Sequence, residues 1–150
     1  MGSPMLRGEI RLADLDPARS GEANKRRPAV IVSNDRANAS AARLGRGVVT
    51  IVPVTSNVEQ VYPFQVLLAA EETGLRVDSK AQGEQIRSVS VERLGRVIGR
   101  VPLLVMARLD DALRLARLAM DHQPARALRQ EAAQVKDDQA QHRTAAEGDP

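Results

Sequence analysis

Two short apolar runs constrain this chain more than any other feature. Pro28–Asn34 carries Ala29, Val30, Ile31 and Val32 in succession, and Val48–Thr55 repeats the pattern. A strand with one face in water alternates between apolar and polar residues. A run that is apolar at nearly every position, and too short for an ordinary helix, reads instead as a central strand buried on both faces. The rest of the chain must then cover two faces of one sheet.

The clearest cover opens at Pro102. Val105, Leu109, Ala112, Leu113, Ala116 and Met120 recur at three- and four-residue spacings, with Asp and Arg between them. That spacing predicts a helix whose apolar stripe lies on the sheet or on a partner subunit. Asn38 reads as the cap of a short helix through Leu44, closed by Gly45. Gly8–Leu15, Phe64–Ala69, Glu84–Val91 and Arg96–Arg100 read as further strands. Asp16–Arg26, with Pro17, Gly21 and Asn24, reads as a polar loop. Strands joined by short turns and closed by one helix predict a small α+β domain with a curved, mostly antiparallel sheet. A β-barrel-like domain with an appended helix is the alternative.

A chain of 150 residues supports one such core. Met1–Pro4 read as a cloning remnant ahead of a start at Met5, residues 5–120 as the domain, and 121–150 as a charged, Gln- and Ala-rich tail, mobile or weakly helical. The formal charge of +3 is uneven: residues 1–120 carry 18 Lys and Arg against 13 Asp and Glu, and residues 121–150 carry 4 against 6. The core is therefore the basic part. Arginine outnumbers lysine 19 to 3, which reflects either codon usage or a surface that grips phosphate.

Composition removes several chemistries. Cysteine is absent, which excludes disulfides, thiol nucleophiles and thiolate-held metals. The two histidines, His122 and His142, lie beyond the folded-looking part, which disfavours a histidine-based ribonuclease, a Ser–His–Asp hydrolase and a histidine-held metal. The longest uncharged run, Gly47–Val58, is too short to cross a bilayer. No basic-then-apolar signal opens the chain, so no membrane and a cytoplasmic location are expected.

Four segments are left to carry function. Lys25-Arg26-Arg27 stands directly before a buried strand, where Pro28 biases Arg27 toward extended backbone; it is either an anion-binding mouth or a solubilising flank. Thr55-Ser56-Asn57 leaves the next buried strand with two hydroxyls and an amide, suited to ribose or phosphate oxygens or to an ordinary turn. Tyr62-Pro63-Phe64 holds both aromatic rings of the chain. They form either a stacking surface or, as the scarcity of rings favours, a core Phe64 beside a turn-closing Tyr62. Gln85 and Arg87 are expected on one side of a strand, with Ile86 and Ser88 on the other.

Taken in order, these segments resemble the MazF/PemK (Kid-like) toxin endoribonucleases. Gly8-Glu9-Ile10, Leu15-Asp16-Pro17, Gly21-Glu22 to Arg27-Pro28, Pro53-Val54-Thr55-Ser56, Tyr62-Pro63-Phe64, Glu84 to Ser88 and the closing helix carry the resemblance. Arg11 departs from it, since many members have Trp there, and so does the tail after Met120. The resemblance implies an SH3-like barrel of MazF/CcdB type and a two-fold homodimer. It implies metal-independent cleavage of single-stranded RNA to a 2′,3′-cyclic phosphate and a 5′-hydroxyl, with no cofactor, and a MazE-type antitoxin as partner. Arg27 and Thr55 align with the family's catalytic arginine and threonine, and Glu22 with an acidic loop residue.

The chemistry itself sorts these roles. Cyclisation needs a base for the 2′-hydroxyl, stabilisation of the phosphorane and a proton for the leaving oxygen. A guanidinium fork suits the second task, and it is a poor base because it holds its proton throughout the physiological range. Arg27 is thus assigned to phosphorane stabilisation and proton donation, Thr55 to positioning and Glu22 to the base. Ser56, Asn57, Gln85, Arg87, Lys25 and Arg26 are expected to contact RNA. Two other readings share the scaffold: a CcdB-like gyrase-binding toxin and a non-catalytic RNA-binding module.

Overall fold

The computed structural model describes residues 5–15 and 26–122. The expectations for residues 1–4, for the loop that holds Glu22 and Lys25, and for the tail from residue 123 onward lie outside the described residues.

The two apolar runs are strands β2 (Arg26–Ile31) and β3 (Val48–Thr55). They pair antiparallel, with Ala29 opposite Pro53, Val30 opposite Val52 and Ile31 opposite Ile51. Their alternate residues enter different cores. Val30, Val32, Val52 and Val54 pack with Val105, Met106 and Leu109 of the closing helix α3 (Leu103–His122). Ala29, Ile31, Val49 and Ile51 pack on the opposite face with Ala41 of α1 (Asp35–Leu44). A strand that feeds two cores has no polar position to spare, and this explains the unbroken apolar runs. Each buried Val, Ile or Leu contributes about 1.5–3 kcal/mol.

Around this pair the sheet runs β4 (Gln65–Leu68), β5 (Ser79–Gln82), β3, β2, β1 (Glu9–Asp14) and β7 (Leu94–Arg100). The outer edge of β3 is shared: Val48–Ile51 pair with β6 (Arg87–Ser90), and Val54 and Thr55 pair with β5. Every pairing is antiparallel. The β1–β7 ladder shifts register on either side of Arg11, and such bulges bend a strand. The α+β class and the closing helix are as expected. The barrel is not closed: β4 and β7 end the strand order and do not pair with each other.

The structure differs from the sequence-based expectations at four places. Asn34, not Asn38, caps α1, its side-chain oxygen accepting from the Ala37 amide at 2.8 Å. Asn38 lies inside the helix, fully buried, and donates to the Ser33 carbonyl at 2.9 Å. A cap serves the third amide downstream, and only Asn34 stands ahead of the first turn. Gly45 closes the helix in the left-handed region, at φ 64°, as expected. Strand β5 was not anticipated because Ser79-Lys80-Ala81-Gln82 carries little apolar character. The short helix α2 (Ala70–Thr73) was likewise not anticipated. The segment from Glu84 is not one strand: a 3₁₀ turn takes Gly83–Gln85, held by the Ile86 amide on the Gly83 carbonyl at 3.2 Å. Gln85 and Arg87 therefore do not share a strand face.

Residues to Ala116 form one compact unit; a second begins at Arg117, and of it only the last turns of α3 are described. No helix among the described residues is long and apolar enough to cross a membrane.

Arg11, which stands where a Trp was expected from the resemblance, is 7% exposed. Its guanidinium reaches Glu9 Oε1 at 3.2 Å and the Gly95 carbonyl at 3.0 Å. The same Glu9 oxygen accepts the Leu6 amide at 2.7 Å, and Glu9 is itself 5% exposed. A buried pair whose lone pairs and protons are used gains little over an apolar pair, yet removal of one partner strands a charge. Glu9→Ala is expected to lower unfolding free energy by about 3–5 kcal/mol in urea titration. Asp111→Ala, which breaks the exposed pair with Arg114, should cost no more than about 0.5 kcal/mol.

Candidate functional site

The β2–β3 ladder ends at Ala29 and Pro53. Continued past the last paired residues, the same count leads to Pro28 and Val54 and then to Arg27 and Thr55, which lie beyond the ladder and line one cleft. Ala13 pairs with Arg27 and Thr55 with Lys80, so this row across β1, β2, β3 and β5 is bonded on either side of the gap where β2 and β3 part. The next row contains Leu12 opposite Pro28 and Val54 opposite Ala81. Cross-strand partners share a face and successive rows alternate. Arg27 and Thr55 therefore occupy the opposite face from Leu12, Pro28 and Val54, at the end of the sheet.

Both rows border one cleft of about 850 Å³. Leu12, Pro28 and Val54 supply its floor, while Arg27, Thr55 and Ser56 form the rim. Leu75 and Arg76, after the left-handed Gly74 that ends α2, form another wall together with Arg96 and Ile98 of β7. Among the described residues its lining includes three arginines and no carboxylate, a charge balance that favours an anion. Arg27, Arg76 and Arg96 are all exposed.

Thr55 is oriented by its own turn. Its Oγ1 accepts the Asn57 amide at 3.2 Å, which leaves the hydroxyl proton free to donate to a phosphate oxygen. The Asn57 side-chain oxygen accepts the Glu59 amide at 3.3 Å, so the Thr55–Asn57 exit is held by local bonds. Arg26 is exposed beside Arg27 and lies near Gly95 of β7. The structure thus gathers Arg27, Thr55 and Ser56, with Arg26 and Asn57 next to them. Gln85 and Arg87 do not line this cleft: Gln85 is exposed in the 3₁₀ turn, and Arg87 donates to the Leu15 carbonyl at 3.3 Å.

Tyr62 closes a turn as expected, its carbonyl accepting the Gln65 amide at 2.8 Å, whereas Phe64 departs from its expected role. Phe64 belongs to neither core; its ring stacks on Tyr62 with centroids 5.4 Å apart and planes 10° apart. Aliphatic side chains fill both cores, and this leaves the rings to each other. The Lys80 ammonium sits 5.9 Å from the Tyr62 ring centre and donates to the Gln60 carbonyl. Gln65 accepts the Tyr62 amide at 3.1 Å and donates to Glu84 at 2.7 Å. Among the described residues, the other Glu84 oxygen and one oxygen of Asp14 are buried without a hydrogen bond. Sequence reasoning missed Arg76, Arg96 and Lys80. Each is a single cation with no other cation beside it in sequence, and only the folded sheet brings them to the row or the cleft.

Comparison with known proteins gives the family. Residues 6–116 match the family of PemK-like, MazF-like toxins of type II toxin–antitoxin systems. The chain belongs to this family. It is 68% identical over 111 residues to endoribonuclease MazF9 of Mycobacterium tuberculosis, an alignment that covers 74% of this chain and 94% of that protein. A crystal structure of MazF from Deinococcus radiodurans superposes with a TM-score of 0.60 at 25% identity, covering 79% of this chain and all of that one. A MazE–MazF crystal structure from the same organism shares the fold at TM-score 0.56 and 23% identity, over 75% of this chain and 93% of that one. The matched residues include both rows of the candidate site and the 3₁₀ turn Gly83–Gln85.

That turn is packed without slack. A Cβ placed on Gly83 would lie 2.3 Å from the Phe64 carbonyl oxygen. Gly83→Ala is expected to push the Phe64 backbone away, at a cost of about 1–3 kcal/mol. A lowered thermal midpoint, together with altered tyrosine fluorescence as the ring stack opens, checks this.

Proposed function

We propose that this MazF-family toxin endoribonuclease cuts single-stranded RNA at a short sequence, without a metal, through the row that holds Arg27 and Thr55. The 2′-oxygen attacks the adjacent phosphorus as its proton leaves, the bond to the 5′-oxygen breaks, and that oxygen takes up a proton. The products are a 2′,3′-cyclic phosphate and a 5′-hydroxyl. The observation that carries this reading is the strand alternation: a guanidinium and a hydroxyl face the same side at a sheet end and line one cleft, whose described lining residues include three arginines.

Arg27 directs its donors at the equatorial oxygens of the phosphorane and supplies the proton to the leaving oxygen. Thr55 donates its free hydroxyl proton to hold the phosphate in line. Glu22, five residues before Arg27 in the β1–β2 connection, is the base. Arg26, Lys25, Ser56, Asn57, Gln85 and Arg87 contact the RNA on either side of the cut. The enzyme acts in the cytoplasm as a two-fold homodimer. Leu103 and Leu104, 88% and 80% exposed at the start of α3, offer apolar surface for that pairing. A MazE-type antitoxin is its regulator, as the MazE–MazF complex of the Deinococcus relative suggests. Neither a gyrase poison nor a non-catalytic module is favoured by a family match that runs to the toxin endoribonucleases.

Arg27→Ala should lower kcat on a cleavable oligoribonucleotide about a hundredfold or more, with an unchanged circular dichroism spectrum. Thr55→Val keeps the shape of the side chain and should lower kcat about tenfold or more. Full activity in either variant would remove that residue from the chemistry. Loss of the base predicts that Glu22→Gln abolishes the acidic limb of the pH–rate profile, where protonation of the carboxylate otherwise slows the wild type.

A further inference from the structure

Arg76 and Arg96 have no part in the mechanism above, yet they face the same cleft as its rim. They stand on different elements, Arg76 after α2 and Arg96 in β7, and both are exposed. Neither makes a hydrogen bond or an ion pair with the other described residues, so both guanidiniums are available to a ligand. The same cleft is lined by the apolar side chains of Leu12, Val54 and Ile98. An apolar lining of this kind, together with cations and the hydroxyls of Thr55 and Ser56, suits a molecule with a flat, weakly polar body and an anionic link.

We propose that Arg76 and Arg96 bind the phosphate of a nucleotide that flanks the scissile one, while its base rests on the apolar floor. This rests on the reading of Arg27 and Thr55 as the cutting site, because the cleft is continuous with their rim. RNA is favoured over an acidic peptide by that continuity, since one nucleic-acid strand that crosses the rim enters the cleft directly. Arg76 and Arg96 are binding residues here, and they set affinity and site choice without touching the reacting atoms.

The test uses the full chain, a fluorescent oligoribonucleotide that contains the cleavage site, and Arg76→Ala, Arg96→Ala and the double variant. Each single variant should raise KM about tenfold and leave kcat within about twofold, as expected for loss of one charge-assisted contact. Loss of one phosphate contact in the double variant should make the slope of log affinity against log salt shallower by about 0.7. The double lysine variant, Arg76→Lys with Arg96→Lys, should restore that slope, a result that a merely structural role for the arginines would not give. An unchanged KM and salt slope in the double alanine variant, with Arg27→Ala still inactive, overturns the flanking subsite alone. Full cleavage by Arg27→Ala overturns both readings. Retained RNA affinity in the double alanine variant, with lost affinity for a synthetic Asp- and Glu-rich peptide, assigns the cleft to a peptide and also overturns the proposal.

Discussion

The pairing of β2 with β3 is the constraint on which the rest of this structure depends. Both strands are apolar on both faces because both cores are built on them: Val30 and Val52 enter one, and Ile31 and Ile51 the other. The three registered pairs from Ala29–Pro53 to Ile31–Ile51 then dictate what stands where the ladder ends. Arg27 and Thr55 are the residues that follow in that count. Core packing thus sets where the candidate site lies, and the local bonds of the Thr55–Asn57 exit orient Thr55 within it. A rigid sheet end suits chemistry that depends on a guanidinium and a hydroxyl held in fixed relation to one phosphate.

Charge is distributed with the same economy. The described basic residues are not spread evenly over the sheet: the cleft collects Arg27, Arg76 and Arg96 and has no carboxylate among its lining residues. Two cations elsewhere are held by acidic partners. Arg11 is buried against Glu9, and Arg7 is tied to Asp110 of α3 and to the Val32 carbonyl. The modest net charge of the whole chain therefore understates the local field at the site. The sequence has no cysteine, and both histidines follow the last strand in the chain, so the proposed chemistry uses arginine, threonine and a carboxylate.

The central strands were the most legible part of the sequence. Val48–Thr55 reads as a strand from its apolar run alone, and β3 has those same bounds. The α3 stripe was legible for the same reason, since Val105, Leu109, Ala112 and Ala116 are buried at the spacing that predicts them. Strand β5 was not legible because its pairing with β3 and β4, rather than its own polar sequence, makes it a strand. Asn38 looked like a cap because its partner, the Ser33 carbonyl, is supplied by the strand exit and leaves no local signature. Of the site, Arg27 and Thr55 were legible through their place at the ends of buried strands and through family resemblance. Arg76 and Arg96 were not, for they lie far apart in sequence and meet only when α2 and β7 flank one cleft.

The most direct measurement is a crystal structure of the protein with an oligoribonucleotide that carries a single deoxyribose at the cleavage position, where the missing 2′-hydroxyl prevents reaction. The scissile phosphate is expected within hydrogen-bond distance of both the Arg27 guanidinium and the Thr55 hydroxyl. A scissile phosphate seated instead against Gln85 and Arg87, away from the end of the β2–β3 ladder, would contradict the central claim.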